Sequence, residues 1–305
     1  MPKLNIYSKL NKVVINQKEA VETISRAIIK YYKGNKSKEK PIAVLLFVGP
    51  TGVGKTHLTK CLAQYCFGSE NCMIRFDMSE FNQPHNAADF VGAPPGYVGF
   101  DRGSNFINSA IETREGIFLL DEIEKAHPDV LNVLLQVFDD GKLTDKRNGR
   151  VINFKNFIFI MTSNIGQQES IDESDIDVKK EIIFSCLKKA LKPKFRNRID
   201  EVVYFEPLSS EGCRKVTINE LNKSIKEKLD ENEIEIILNS SVIDYIVERG
   251  FNPFLNARPL KRAIDKYFED PFSELELRGE VKKEDKFKVF ISKDENKITF
   301  RELSQ

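Results

Sequence analysis

The sequence predicts an α/β fold, a three-layer sandwich around a parallel sheet, followed by a smaller, mainly helical domain that ends in a short β-sheet. Three observations carry this. "AVLLFV" (Ala43–Val48), "GIFLLDE" (Gly116–Glu122) and "NFIFIMTSN" (Asn156–Asn164) are short, unbroken apolar runs, the pattern of strands buried on both faces. Helical segments such as "KTHLTKCLAQYCF" and "PDVLNVLLQVFDD" lie between them, so the strands are joined by right-handed crossovers. After "VVYFEPLS" the texture changes to long helical stretches, joined by the alternating pieces "EIEIILN", "KFKVFIS" and "KITFRE". The expected domains are 1–206 and 207–305.

Ahead of the first strand, "QKEAVETISRAIIKYY" repeats apolar residues at three- and four-residue steps, as an amphipathic helix does, and polar "KGNKSKEK" links it onward. At 305 residues the chain is long enough for two cores. Its 41% hydrophobic and 30% charged residues are those of a globular protein, and a net charge of +1 gives no overall attraction to nucleic acid or an anionic membrane. No apolar run reaches membrane-spanning length, and "MPKLNIYSKLNK" lacks the apolar core of a secretory signal. A cytoplasmic or organelle-matrix location is therefore expected. The five cysteines fit no zinc spacing, which suits reduced thiols.

The chemistry starts at "GPTGVGKT". This is the phosphate-binding pattern G-x-x-x-x-G-K-[ST], and it follows a buried strand and opens a helix, the context that the pattern requires. Along Gly49, Pro50, Thr51, Gly52, Val53 and Gly54 the three glycines would let the loop's backbone N–H groups curl around phosphates at a helix N-terminus. Lys55 would reach the β- and γ-phosphates, and Thr56 would ligate Mg²⁺. "FLLDE" supplies Asp121 at a strand end to hold Mg²⁺ through water, then Glu122 to polarise the attacking water. The third apolar run ends at Asn164, placed to orient that water or the γ-phosphate. ATP with Mg²⁺ is the expected ligand.

The string "GPTGVGKT", "RFDMSEF", "GAPPGYVGFDRG", "FLLDEIEKAHPDVLNVLLQVFDDGKLTD", "TSNIG", "FRNRIDEVVYFEPL" and "NPFLNARPLKR" spans nearly the whole chain. In these motifs the chain resembles an AAA+ ATPase of the Clp unfoldase/disaggregase family, most of all the second ATPase domain of ClpA, ClpB and ClpC. The resemblance implies a homo-hexameric ring with ATP between neighbours, and the C-terminal domain as a lid. Arg198 would be the arginine finger on the neighbour's γ-phosphate, a contact worth about 10³- to 10⁵-fold in related hydrolases; Arg196 is a second candidate, and an ion pair of Arg198 with Asp200 is the plainer alternative. Arg258 would touch the phosphates of its own subunit, with Val14 and Ile15 of "VVINQ" against the adenine. Tyr97, with Val98 beside it, would project into the ring's channel and grip polypeptide by area rather than sequence.

The implied function is ATP-driven unfolding or disaggregation by threading unfolded or aggregated chains. A remodeller of another assembly, such as a secretion sheath, and a scaffold that does not hydrolyse ATP are the alternatives. Between Asn164 and Arg198 there is no Ile/Leu-Gly-Phe/Leu tripeptide of the kind that docks a peptidase, so a motor without one is expected. The family's motifs here cover one ATPase domain, compatible with a one-ring protein or a piece of a two-ring one. Asn16 and Asn256 stand where the family usually has glycine; asparagine tolerates left-handed backbone well. Asp89 replaces a common arginine, and "KRNGR" after Asp145 is one residue longer than usual.

Overall fold

A computed structural model describes residues 5–92, 103–252, 255–292 and 296–303. The chain divides into two compact units, one of Met1–Gly49 with Gly54–Glu206, the other of Pro50–Val53 with Pro207–Gln305.

In the first unit, helices α1 (Ile6–Val13) and α2 (Lys18–Tyr32) precede β1 (Ala43–Val48), α3 (Lys55–Phe67) and β2 (Met73–Asp77). Helices α4 (Pro84–Val91) and α5 (Asn105–Thr113) lead to β3 (Gly116–Asp121) and α6 (Pro128–Asp140). A hairpin of β4 (Lys142–Thr144) and β5 (Val151–Asn153) enters β6 (Phe157–Ser163); α7 (Ile176–Ala190), α8 (Pro193–Arg196) and β7 (Glu201–Tyr204) complete the unit.

Five strands form one parallel sheet in the order β2-β3-β6-β1-β7. The three central strands are buried along their whole length. They are the three continuous apolar runs of the sequence. Register pairs Val48 with Ser163 and Leu120 with Met161, so Gly49, Asp121 and Asn164 leave the sheet at one edge. Ligands of open α/β sheets bind at that carboxyl edge.

One face of this sheet carries an aromatic core. Phe106 stacks on Phe90 and on Phe154, each at 4.8 Å, and meets Phe118 at the same distance. Phe90 and Phe106 flank the segment 93–102. Ser104 ties the two ends of that segment together: its hydroxyl donates to the Phe90 carbonyl and accepts from the Ile107 N–H at 3.1 Å, capping α5.

In the second unit, α9 (Ser210–Asn232) is followed by β8 (Glu235–Leu238), α10 (Ser240–Gly250), α11 (Arg258–Ile264), α12 (Asp270–Leu277), β9 (Lys286–Ile291) and β10 (Ile298–Glu302). The sheet order is β10-β9-β8, and Leu221, Ile246, Phe268, Phe272 and Val289 fill its core. Between α11 and α12 the chain makes a π-helical turn at Asp265–Glu269, where the Asp270 N–H reaches five residues back to the Asp265 carbonyl. Pro271 accounts for it, having no N–H for the Tyr267 carbonyl and a ring that crowds the preceding turn; widening the turn relieves both. Among the described residues no helix is long and apolar enough to cross a membrane.

Candidate functional site

The phosphate-binding loop leaves β1 at Gly49 and enters α3 through Gly54. Gly54 caps the helix at φ +100°, a left-handed conformation that side chains resist, and a Cβ there would meet nothing within 4 Å. The Lys55 amine lies at 2.6 Å from the Gly49 carbonyl and 3.5 Å from Asn164 Oδ1. Burial lowers its pKa to about 8, although Asp121, Glu124 and Glu122 all pull it up. An ammonium poorly hydrated among carboxylates, beside open space at a helix N-terminus, fits a polyphosphate.

Asp121 and Glu122 are set by one hydroxyl. Thr162 Oγ1 donates to Asp121 Oδ1 at 3.0 Å and accepts from the Glu122 N–H at 3.1 Å. Asp121 is 8% exposed, and its Oδ2 accepts from Arg75 Nε at 2.6 Å. Each carboxylate oxygen keeps a second lone pair, so Asp121 can still accept from water on a cation. Glu122 sits at φ +56°, a strained conformation for a non-glycine residue, where the strand stops and the chain turns. Its Oε1 accepts from Asn164 Nδ2 at 3.2 Å, and its Oε2 pairs with Lys125 Nζ at 2.5 Å. The predicted residues Lys55, Asp121, Glu122 and Asn164 therefore form one hydrogen-bonded cluster.

Beside Thr162, Arg75 and Lys125, two further members of this cluster were not singled out in the sequence. Gln167 Nε2 donates to the Gly49 carbonyl at 2.5 Å and to Asn164 Oδ1 at 3.2 Å, bracing the loop against the asparagine. Glu124 Oε1 accepts from the Asn164 N–H at 3.1 Å. Nothing in a single sequence separates Gln167 from its neighbour Gln168; "DEIE" did offer a second carboxylate.

Val14 is buried and Ile15 half-buried; between them and α2, Asn16 takes φ +55° and Gln17 is 3% exposed. The Gln17 amide exchanges two hydrogen bonds with the Glu206 backbone, at 2.9 and 3.0 Å, which fixes "VINQ" at the end of β7. Thr56 lies half-buried in the first turn of α3.

Arg198 is half-buried and ion-paired, through Nε, with Asp139 at the end of α6. The alternative partner Asp200 is engaged elsewhere: it accepts from the Val44 N–H at 2.7 Å and pairs with Lys36 at 2.5 Å, stitching β7 to β1. Arg196 keeps a buried Nε with no hydrogen-bond partner. Arg258 is exposed at the first position of α11. Tyr97 and Val98 lie outside the described residues.

A phosphate loop after β1, an acidic end on β3 and an asparagine on β6, the strand between them, define the class as a P-loop nucleotide hydrolase. Residues 40–202 match the AAA domain (Cdc48 subfamily), and residues 208–289 match the C-terminal D2-small domain of ClpB protein. "Probable chaperone protein ClpB 1" of Chlorobaculum tepidum is 42% identical over 301 residues, 95% of this chain and 68% of that protein. "Chaperone protein ClpB" of Vibrio vulnificus and of Aquifex aeolicus are each 42% identical, over 96% and 99% of this chain. The chain belongs to the AAA+ ATPases of the Clp family, and it matches their second ATPase domain with its small domain. It spans 34% and 32% of the latter two relatives' length.

Proposed function

We propose that this chain is the ATP-driven motor of a protein unfoldase or disaggregase, working as a hexameric ring that threads unfolded or aggregated polypeptide. The observation that carries the reading is the cluster in which Thr162 aligns Asp121 and Glu122 while Asn164 bridges Glu122 and Lys55. ClpB chaperones as relatives support it.

In this reading the loop Gly49–Thr56 binds the phosphates by backbone N–H groups and Lys55. Thr56 and Asp121 hold Mg²⁺, which, when bound, neutralises charge on the phosphate oxygens. Glu122 accepts a proton from the attacking water, and Asn164 fixes the carboxylate that does so. Lys125 pairs with the other Glu122 oxygen, and each oxygen keeps a lone pair for the water. Arg198 leaves its ion pair with Asp139 to reach the neighbour's nucleotide on assembly. Val14 and Ile15 face the adenine, and Arg258 answers to the phosphates of its own subunit. Tyr97 and Val98 grip the threaded chain. The motor works in the cytoplasm without a docked peptidase.

The test is unfolding of a tagged model substrate per ATP hydrolysed. Tyr97→Ala is expected to lower that ratio more than tenfold, since an aromatic in a channel acts by contact area. An unchanged ratio would remove Tyr97 from the channel and the threading reading with it.

A further inference from the structure

The tip of the phosphate loop, Pro50–Val53, packs as part of the C-terminal unit. Among the described residues, the short turn Leu255–Arg258 bonds to it. Asn256, 1% exposed, stands at its centre with φ +51°. Its Nδ2 donates to the Thr51 carbonyl at 3.0 Å, and its Oδ1 accepts from the Leu208 N–H at 2.9 Å. The next residue repeats the contact through backbone: the Ala257 N–H donates to the Gly52 carbonyl at 3.2 Å. Gly52 presses so close that a Cβ on it would collide with the Leu255 carbonyl and lie 2.8 Å from the Arg258 N.

These bonds fix more than proximity. In a trans peptide the carbonyl of one residue and the N–H of the next point in opposite directions. With the Thr51 and Gly52 carbonyls held toward the turn, the Gly52 and Val53 N–H groups are aimed away from it. Loops of this pattern bind phosphate with those backbone N–H groups.

We infer that Asn256 is a positioning residue for nucleotide binding, whose side-chain amide holds the loop tip in its anion-binding orientation and ties that orientation to the start of the C-terminal unit at Leu208. This rests on the reading of Gly49–Thr56 as the nucleotide site. The left-handed backbone alone would be met by glycine at no steric cost. Asparagine keeps the conformation and adds an amide that bonds on both sides. Both partners are main-chain groups, so the clamp is independent of the side chains at Thr51 and Leu208.

The clamp can be separated from the backbone it sits on. Asn256→Gly keeps φ and deletes both side-chain bonds. Asn256→Asp keeps an acceptor for Leu208 but sets a carboxylate oxygen against the Thr51 carbonyl; it also serves as the second variant if loss of both bonds loosens the unit. Three quantities are measured on the full chain: amide hydrogen exchange of residues 50–54 without nucleotide, the affinity for a fluorescent N-methylanthraniloyl ADP, and KM and kcat for ATP.

Asn256→Gly is expected to speed exchange in 50–54 and to weaken ADP binding and raise KM by roughly five- to tenfold, the scale of a lost buried hydrogen bond or two, with kcat changing far less. Asn256→Asp is expected to weaken binding further than Asn256→Gly. A role confined to stability would lower the melting temperature while leaving KM and the exchange of 50–54 at wild-type values, and that result overturns the inference. Faster exchange in Asn256→Gly, in a wild-type chain that binds no nucleotide, would instead refute the nucleotide reading and leave the clamp standing.

Discussion

At the residue scale, the Lys55 amine has the property most easily read in solution. Burial lowers its pKa from 10.5 to about 8, and a bound phosphate favours the charged form. Below pH 8 the amine is already protonated, so binding is insensitive to it. Above pH 8 binding has to take up a proton, and nucleotide affinity is expected to fall by up to about tenfold per pH unit. Stability runs the other way. Between about 8 and 10.5 the unfolded chain binds more protons at this position than the folded one, so Lys55 costs stability most fully below pH 8 and less as pH rises. Lys55→Met is therefore expected to bind no nucleotide yet melt no lower than wild type at pH 7. ADP affinity that stays flat from pH 7 to 10 would contradict this account of Lys55.

At the element scale, the residues legible in the sequence were those whose chemistry depends on spacing along the chain. Lys55, Asp121, Glu122 and Asn164 each stand at the end of a strand or the start of a helix, and the strands are the three fully buried ones. β2 and β7 were not read as strands because edge positions leave them only partly buried, so "MIRFD" and "EVVY" carry polar residues within the run. The β4–β5 hairpin is three residues a side, too short for any period.

Its loop holds the residue that sequence undervalued most. Arg147, in "KRNGR", bonds both oxygens of Asp145, which is 2% exposed, and reaches Asn108 at 2.9 Å on α5. Its hydrogen bond holds the Asp145 carboxyl below its ordinary pKa. The guanidinium also fills the space beside Gly103, where a Cβ would strike it. Arg147 thus braces the hairpin loop against α5. Arg147→Ala leaves a buried carboxylate without this partner and is expected to lower the unfolding free energy by about 2–3 kcal/mol in urea titration. A loss under about 0.5 kcal/mol would mean the loop is peripheral.

At the scale of the whole molecule, the chain folds as two units with separate cores. The assignment of Pro50–Val53 to the C-terminal unit was not legible, because it depends on bonds spanning some two hundred positions, such as Asn256 to Thr51. Left-handed backbone at Asn16 and Asn256 was legible, since asparagine in place of glycine marks it. What asparagine adds beyond glycine needed coordinates.

The central claim is a ring of ATPase sites completed by neighbouring subunits, and complementation tests it most directly. Glu122→Gln retains the finger but lacks the proton acceptor in its own site; Arg198→Ala retains the acceptor but offers its neighbour no finger. Each alone is expected to hydrolyse ATP at least about 10²-fold more slowly than wild type. Mixed under assembling conditions, the two should recover turnover well above the sum of their separate rates. Turnover by Arg198→Ala alone at the wild-type rate, or a mixture that only adds its parts, would contradict the shared site.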